Sequence, residues 1–333
     1  MREPAFWHRP RGLMSSLLAP VATIYGAISG ARMQRPGVSA GIPVICVGNY
    51  HAGGAGKTPT VLALVELLRS AGETPVVLSR GYGGQLPGPV EVDSARHTAR
   101  DVGDEPLMIA AHVPVVIARD RIAGAQLAKT RGASVIVMDD GFQNPSLRKD
   151  ASVVVIDSAR GLGNGCVFPA GPLRAPLDPQ VARTDALIVI GNGSAANDVA
   201  LSVQAQGGLV LRARIVPDAA SLTALRGQRV LAFAGIGDPE RFFATLRAHG
   251  IDVAATQAFP DHHPFTANDI AGLASRASSR GLLLVTTEKD HARFRGMANL
   301  PPLATLGIGL EFERRDELLA FVSARLARAR EPV

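Results

Sequence analysis

Residues 44–60, Val-Ile-Cys-Val-Gly-Asn-Tyr-His-Ala-Gly-Gly-Ala-Gly-Lys-Thr-Pro-Thr, run an apolar strand into a glycine-rich turn that closes on Gly56-Lys57-Thr58. A strand, a glycine turn and a helix in this order make a phosphate-binding loop, because backbone N–H groups of the turn and of the first helical turn converge on phosphate oxygens. His51, Ala52, Gly53, Gly54, Ala55, Gly56, Lys57 and Thr58 form the expected cradle, with Lys57 reaching the β- and γ-phosphates and the Thr58 hydroxyl available to Mg²⁺. Val61, Leu62, Leu64, Val65, Leu67 and Leu68 give the following helix an apolar band that ends at Ala71-Gly72. The loop departs from the usual G-x-x-x-x-G-K-[ST] pattern: His51 stands at the first glycine position, and extra glycines sit at 53 and 54.

Beyond residue 35, Val- and Ile-rich runs alternate with helical stretches. Strands are expected at 42–47, 75–79, 114–118, 135–138, 153–156 and 186–190, and again at 229–234 and 282–286 after a looser stretch with an apolar run at 209–216. Runs with little polar alternation are strands buried on both faces, so the fold class is α/β: a phosphate-loop NTPase-type parallel sheet flanked by helices, with a second, smaller α/β domain. The expected organisation is an N-terminal segment (1–35), a kinase-type domain (36–215) and a smaller domain (216–333). Ligands in such sheets gather at the carboxyl ends of strands.

The N-terminal segment carries five arginines (Arg2, Arg9, Arg11, Arg32, Arg35) against Glu3, a net +4 of the chain's +6, together with Trp7 and an apolar run from Leu13 to Ile28. A secretory signal would deliver a nucleotide-binding chain to a compartment without ATP. Pro20 and several Ser, Thr and Gly residues speak against a spanning helix. A basic, Trp-containing segment lying at a membrane surface fits best, and a helix packed on the protein's own core is the alternative. With 5% aromatic residues and no basic stripe interleaved with them, no nucleic-acid partner is expected. Cys46 and Cys166 have no metal-type spacing and are expected as reduced thiols.

Asp139-Asp140 end the apolar run 135–138, the place where a phosphate-loop protein holds Mg²⁺; a turn residue is the alternative role for one of the two. Asp104 and Glu105 open a helical stretch, where a carboxylate either complements the helix dipole or acts as a general base. His262, within Phe259-Pro-Asp-His-His-Pro-Phe265, suits a partner to a carboxylate base better than a metal ligand. If residues 104 and 262 meet, the site lies between the domains. Arg80 and Tyr82 lie in a flexible loop suited to a substrate phosphate or to a surface turn, and Lys289 is either a phosphate-facing cation or solvated.

Together Val47-Gly-Asn-x-x-x-Gly-Gly-x-Gly-Lys-Thr-Pro59, Ser79-Arg-Gly-Tyr-Gly83, Gly103-Asp-Glu-Pro106, Asp139-Asp-Gly-Phe-Gln143, Gly171-Pro-Leu-Arg174, Phe259-x-Asp-His262 and Thr287-Glu-Lys-Asp290 resemble the tetraacyldisaccharide 4'-kinase family over nearly the whole chain. Its members also lack the first loop glycine and begin with a membrane-associating segment. The resemblance implies ATP- and Mg²⁺-dependent phosphorylation of the 4'-hydroxyl of a tetraacylated glucosamine disaccharide 1-phosphate, a lipid A precursor. It implies a monomer on the cytoplasmic face of the bacterial inner membrane. It assigns Lys57 and Thr58 to ATP and Mg²⁺, Asp139 and Asp140 to the metal, Asp104 to the base and His262 to its partner. Arg80, Tyr82, Gln143 and Arg174 fall near the substrate or the transferred phosphate. The family often reads Leu-Arg-Glu-Pro where this chain has Leu173-Arg-Ala-Pro176. The rival readings are a phosphate-loop switch ATPase, which leaves Asp104 and the Asp261-His262 cluster unexplained, and a kinase for a soluble sugar, which leaves the N-terminus without a task.

Overall fold

Strands that carry Val and Ile on both faces need cover on both sides, and the chain supplies it by winding helices around a large sheet. The computed structural model describes residues 3–331, so Arg2 and the extreme ends of the expected 1–35 and 216–333 segments lie outside the described residues. The strands are β1 (Val44–Gly48), β2 (Pro75–Ser79), β3 (Val90–Glu91), β4 (Val115–Ile117), β5 (Val135–Asp139), β6 (Ala151–Asp157), β7 (Ala186–Ile190), β8 (Leu209–Pro217), β9 (Arg229–Ala234), β10 (Asp252–Ala258), β11 (Leu283–Thr287), β12 (Leu303–Leu306) and β13 (Ile308–Phe312).

A nine-stranded sheet has the order β13-β8-β7-β6-β1-β5-β2-β4-β3. Its centre is parallel, and β3 and β13 are antiparallel edges. Val44, Ile45, Cys46 and Val47 of β1 are fully buried because separate helix-covered cores close over the two faces of the sheet. β1 lies between β5 and β6, where the winding reverses, so a crevice opens at its carboxyl end. The second sheet, β10-β9-β11-β12, is parallel throughout.

The expected 216–333 unit needs a correction. The smaller sheet occupies 229–306, and β13 then returns to pair antiparallel with β8, Leu310 opposite Ile215. The final helix, Arg315–Arg330, buries Leu318, Val322 and Leu326 in a core of the larger sheet. A strand that pairs with a partner almost a hundred residues earlier leaves no mark in its own local pattern.

After a short 3-10 turn at Ala5–His8, the N-terminal segment forms the helix α1 (Leu13–Met33), which runs unbroken through Pro20 and is long and apolar enough to cross a membrane. Its polarity is reversed relative to a core helix. Small residues Ser15, Ala22, Gly26 and Gly30 face the protein, while Leu13, Leu17, Val21, Ile24 and Ile28 form an exposed apolar stripe at helical spacing. Positions 26 and 30 pack against Val167 and Pro176. Trp7 is buried, donates Nε1–H to the Pro169 carbonyl at 3.1 Å and meets Phe168 edge-on.

Candidate active site

The phosphate loop leaves β1 and enters α2 (Lys57–Ser70) through Gly56, whose φ of 86° is left-handed. A Cβ there would collide with Ile190 of β7, so only glycine lets the loop lie this close to the sheet. His51 replaces a glycine without disturbing the turn because its ring is buried under it. Nδ1 lies 2.6 Å from the Ala52 carbonyl, and the backbone is held against Leu173 and Pro172. Burial, chiefly, pushes its pKa down, so the imidazole is neutral. Asn49 crosses the loop to the Gly53 carbonyl at 3.2 Å.

Gln143, expected near the substrate, lies at the base of the loop. Its amide nitrogen donates to the Asn49 carbonyl at 2.7 Å and to Gln180 Oε1 at 2.9 Å, bracing the base of the loop.

Beside the loop, β5 ends in Asp139 and Asp140, and their environments separate them. Asp139 is buried and accepts Ser79 Oγ–H at 3.2 Å; burial, then the neighbouring charges of Glu105 and Asp140, push its carboxyl up to about 7. Asp140 has an αL backbone, φ 51°. Burial pushes its carboxyl upward, but Lys57 and Arg174 outweigh it and hold the group at about 2. Lys57 Nζ lies 3.7 Å and Arg174 Nη1 2.6 Å from the same Oδ1. Thr58 is half-buried at the start of α2. Arg80 and Tyr82 stand exposed on the loop after β2 and are not drawn into this cluster.

The second cluster joins the two sheets. Gly103, with φ 92° and no room for a Cβ beside the Tyr82 carbonyl, turns the chain into the helix Asp104–Ile109. Asp104 and His262 do meet: Nδ1 donates to Oδ2 at 2.9 Å across 158 residues of sequence. Arg293, on the helix Glu288–Arg293, donates Nε and Nη2 to the same Oδ2 at 3.0 and 2.6 Å. Burial pushes the Asp104 carboxyl upward, but the His262 hydrogen bond and the Lys289 and Arg293 charges hold it well below the carboxylate range. Lys289 is neither solvated nor free for phosphate, since it pairs with Glu105 Oε1 at 2.9 Å. On the other flank Arg241, from the smaller unit, reaches Asp157 at the end of β6 at 3.2 Å.

Two further arginines belong to the site although no motif marks them. Arg121 is buried beside Asp139, with Nη1 on the Ala118 carbonyl at 2.5 Å; its one signal in the sequence is its place just beyond β4. The signal for Arg293 is its i, i+3 spacing from Asp290.

A family model described as tetraacyldisaccharide-1-P 4'-kinase matches residues 14–327. The chain belongs to that family. It is 63% identical to the tetraacyldisaccharide 4'-kinase of Nitrobacter hamburgensis, over 99% of this chain and 100% of that protein. It is 64% identical to the one from Bradyrhizobium diazoefficiens, over 99% and 98%. Its structure is similar to the "apo" form of LpxK from Aquifex aeolicus in complex with ATP, with a TM-score of 0.73 and 26% identity, covering 94% of this chain and all of that one. Where the family often carries glutamate, Ala175 is fully buried and its carbonyl accepts Gln180 Nε2–H at 2.8 Å. Among the described residues, no group of three or more His, Cys, Asp and Glu converges as a metal cage.

Proposed function

We propose that this chain transfers the γ-phosphate of ATP to the 4'-hydroxyl of a tetraacylated glucosamine disaccharide 1-phosphate at a membrane surface. The observation that carries the reading is the Asp104–His262 pair, 2.9 Å apart, held where the smaller unit meets the unit bearing the phosphate loop. A switch ATPase has no use for an ionised carboxylate oriented from across a cleft.

The residues present fit ATP and Mg²⁺. The loop 51–56 and Lys57 offer a glycine cradle and an ammonium, while Asp139 is a buried carboxylate at the strand end beside them, pushed toward its neutral form by burial and by the charges of Glu105 and Asp140. Mg²⁺ asks for one or two protein carboxylates, completing its shell with phosphates and water, so Thr58, Asp139 and Asp140 suffice without a cage. When bound, ATP supplies the phosphoryl group and Mg²⁺ screens its oxygens. The chain's own part is positioning. Lys57 and the loop N–H groups hold the transferring oxygens. Asp104 takes the hydroxyl proton as the 4'-oxygen bonds to phosphorus and the bond to the ADP oxygen breaks. Arg174, poised on Asp140, is the substrate-side cation best placed to follow the moving charge, and Arg80 and Tyr82 are free to meet the disaccharide.

The test is labelled γ-phosphate transfer in detergent micelles with and without the lipid acceptor. Labelled lipid and acceptor-dependent ATP turnover are expected; lipid-independent hydrolysis without labelled lipid would move the chain to the switch class.

The α1 stripe is read as a docking face that lies in the headgroup region rather than a span, because Ala22, Gly26, Gly30 and Met33 are buried against the protein. Four acyl chains hold the acceptor in the bilayer, each exposed methylene costing about 0.8 kcal/mol, so the enzyme works where the lipid is. Leu17→Glu with Ile24→Glu, on residues 71% and 65% exposed, is expected to lower liposome sedimentation by about tenfold or more while leaving the melting temperature unchanged. Undiminished sedimentation would remove α1 from membrane binding.

A further inference from the structure

Asp104 is gripped in an unusual way. The edge of a guanidinium commonly takes both oxygens of a carboxylate, one N–H to each. Here Nε and Nη2 of Arg293 converge on Oδ2 alone, at 3.0 and 2.6 Å, and His262 Nδ1 adds a third donor to that oxygen at 2.9 Å. Among the described residues, Oδ1 accepts only the Glu105 backbone N–H, at 3.0 Å, within its own helix.

Arg293 is itself fixed from behind. Its side chain is 6% exposed, and Nη1 donates to Asp290 Oδ1 at 2.6 Å and to the Gly235 carbonyl at 2.7 Å. Asp290 is fully buried and accepts Gly235 N–H at 3.0 Å and Thr287 Oγ–H at 2.9 Å. This frame is built on β9, β11 and the helix after β11, all in the smaller unit, whereas Asp104 belongs to the larger one.

We propose that Arg293 is a positioning residue for the base: it saturates Oδ2 and fixes the rotation of the Asp104 carboxylate, so that Oδ1 is the oxygen that receives the acceptor's proton. The proposal rests on the reading of Asp104 as base. It assigns the helix Glu288–Arg293 a task in catalysis, carried out through Asp104 rather than on substrate. It also makes orientation of the base conditional on the two units being together, because the forked donor and the carboxylate come from opposite sides of the cleft. The charged groups around Asp104 are Glu105 on its own helix and, from the smaller unit, Arg293, Lys289 and His262, with Asp261 3.8 Å beyond the imidazole and Asp290 behind Arg293. With the guanidinium removed, Asp104 keeps His262 and Lys289 but loses the group that both turns it and favours its ionised form.

The experiment compares R293K and R293Q with wild type and D104N across pH, using micellar lipid transfer and thermal unfolding. R293K keeps a cation beside Asp290 but has no fork. It is expected to lower kcat by about tenfold or more, with KM for ATP and lipid little changed and the pH profile in place. R293Q loses both the fork and the charge and is expected to lower kcat at least as far as R293K, with KM for ATP and lipid again little changed. Wild-type kcat in R293K, or a fall in melting temperature with kcat per folded molecule unmoved in R293Q, would overturn the assignment and leave Arg293 a structural tie. Should R293Q not fold, the kcat and KM of R293K decide alone. D104N at wild-type activity would sink the base reading itself, an outcome distinct from a dead D104N beside unperturbed arginine variants.

Discussion

Asn in place of Asp104 is expected to lower kcat for lipid phosphorylation by about 10²–10⁴, with KM for ATP little changed. The amide keeps the shape of the carboxylate and can still accept hydrogen bonds, but it cannot take a proton. Asp104 lies at the junction of the units rather than in the phosphate loop, so nucleotide binding is spared. The group is also ionised throughout the working pH range. His262, Lys289 and Arg293 hold its pKa below the unfolded value despite burial. A depressed carboxyl contributes stability that is present above the ordinary carboxylate pKa and is lost as pH falls through the folded value. Asp104 therefore imposes no acid limb near neutrality in the wild-type enzyme.

A carboxylate held so low is a weak base, and phosphoryl transfer accommodates that: the acceptor proton is released late, so orientation of the oxygen counts for more than proton affinity. His262→Ala should accordingly cost less than Asp104→Asn, because His262 is 42% exposed and acts through Asp104. The Asp104→Asn change also leaves the Nε–Nη2 edge of the buried Arg293 guanidinium without its anion, Asp290 holding only Nη1, so a lower melting temperature is expected, and activity must be taken per folded molecule. Transfer within tenfold of wild type would show that Asp104 is only the first residue of its helix.

The parts of this molecule that could be read from sequence are those that local physics specifies. The strands at 75–79, 186–190 and 229–234 fall where the Val- and Ile-rich runs placed them, because strands buried on both faces cannot carry polar interruptions. β10, Asp-Val-Ala-Ala-Thr-Gln-Ala, escapes such a reading for the converse reason: it is an edge strand that is half-buried at most, and its composition shows it. β12 and β13 are edges too, and the return of β13 to the larger sheet is a long-range pairing. The site divides in the same way. Lys57, Thr58, Asp139 and Asp140 follow from strand ends and loop spacing, whereas the Asp104–His262 contact was accessible only through family resemblance. Arg121 and Arg293 carry only faint local marks, a place just beyond β4 and an i, i+3 spacing from Asp290. A buried arginine differs from a surface one only in its surroundings, and these lie on other elements: Arg293 pairs with Asp104, and Arg121 feels the charge of Asp139.

Lys57→Ala is expected to lower kcat by about 10²–10³ even at saturating ATP. The reason lies in how the lysine is held. Gly56 turns the chain so that Lys57 opens α2, and its Nζ lies 3.7 Å from Asp140 Oδ1, an oxygen already paired with Arg174 at 2.6 Å. Arg174 thus supplies the shorter bond to Asp140, and the lysine is the more loosely committed cation, free to turn to the phosphates without leaving the Asp140 carboxylate alone. Its charge is needed most when the transferring group separates from ADP, so its loss falls on kcat as well as on ATP binding. Arginine is not an adequate substitute, since a planar fork cannot occupy the place of a compact ammonium inside a closed glycine turn. The fold should survive the alanine, because Arg174 still neutralises Asp140, and an unchanged melting temperature would verify this. An alanine variant that keeps more than about a tenth of wild-type kcat would mean that Arg174 or the metal, and not Lys57, carries the charge of the transferring phosphoryl group.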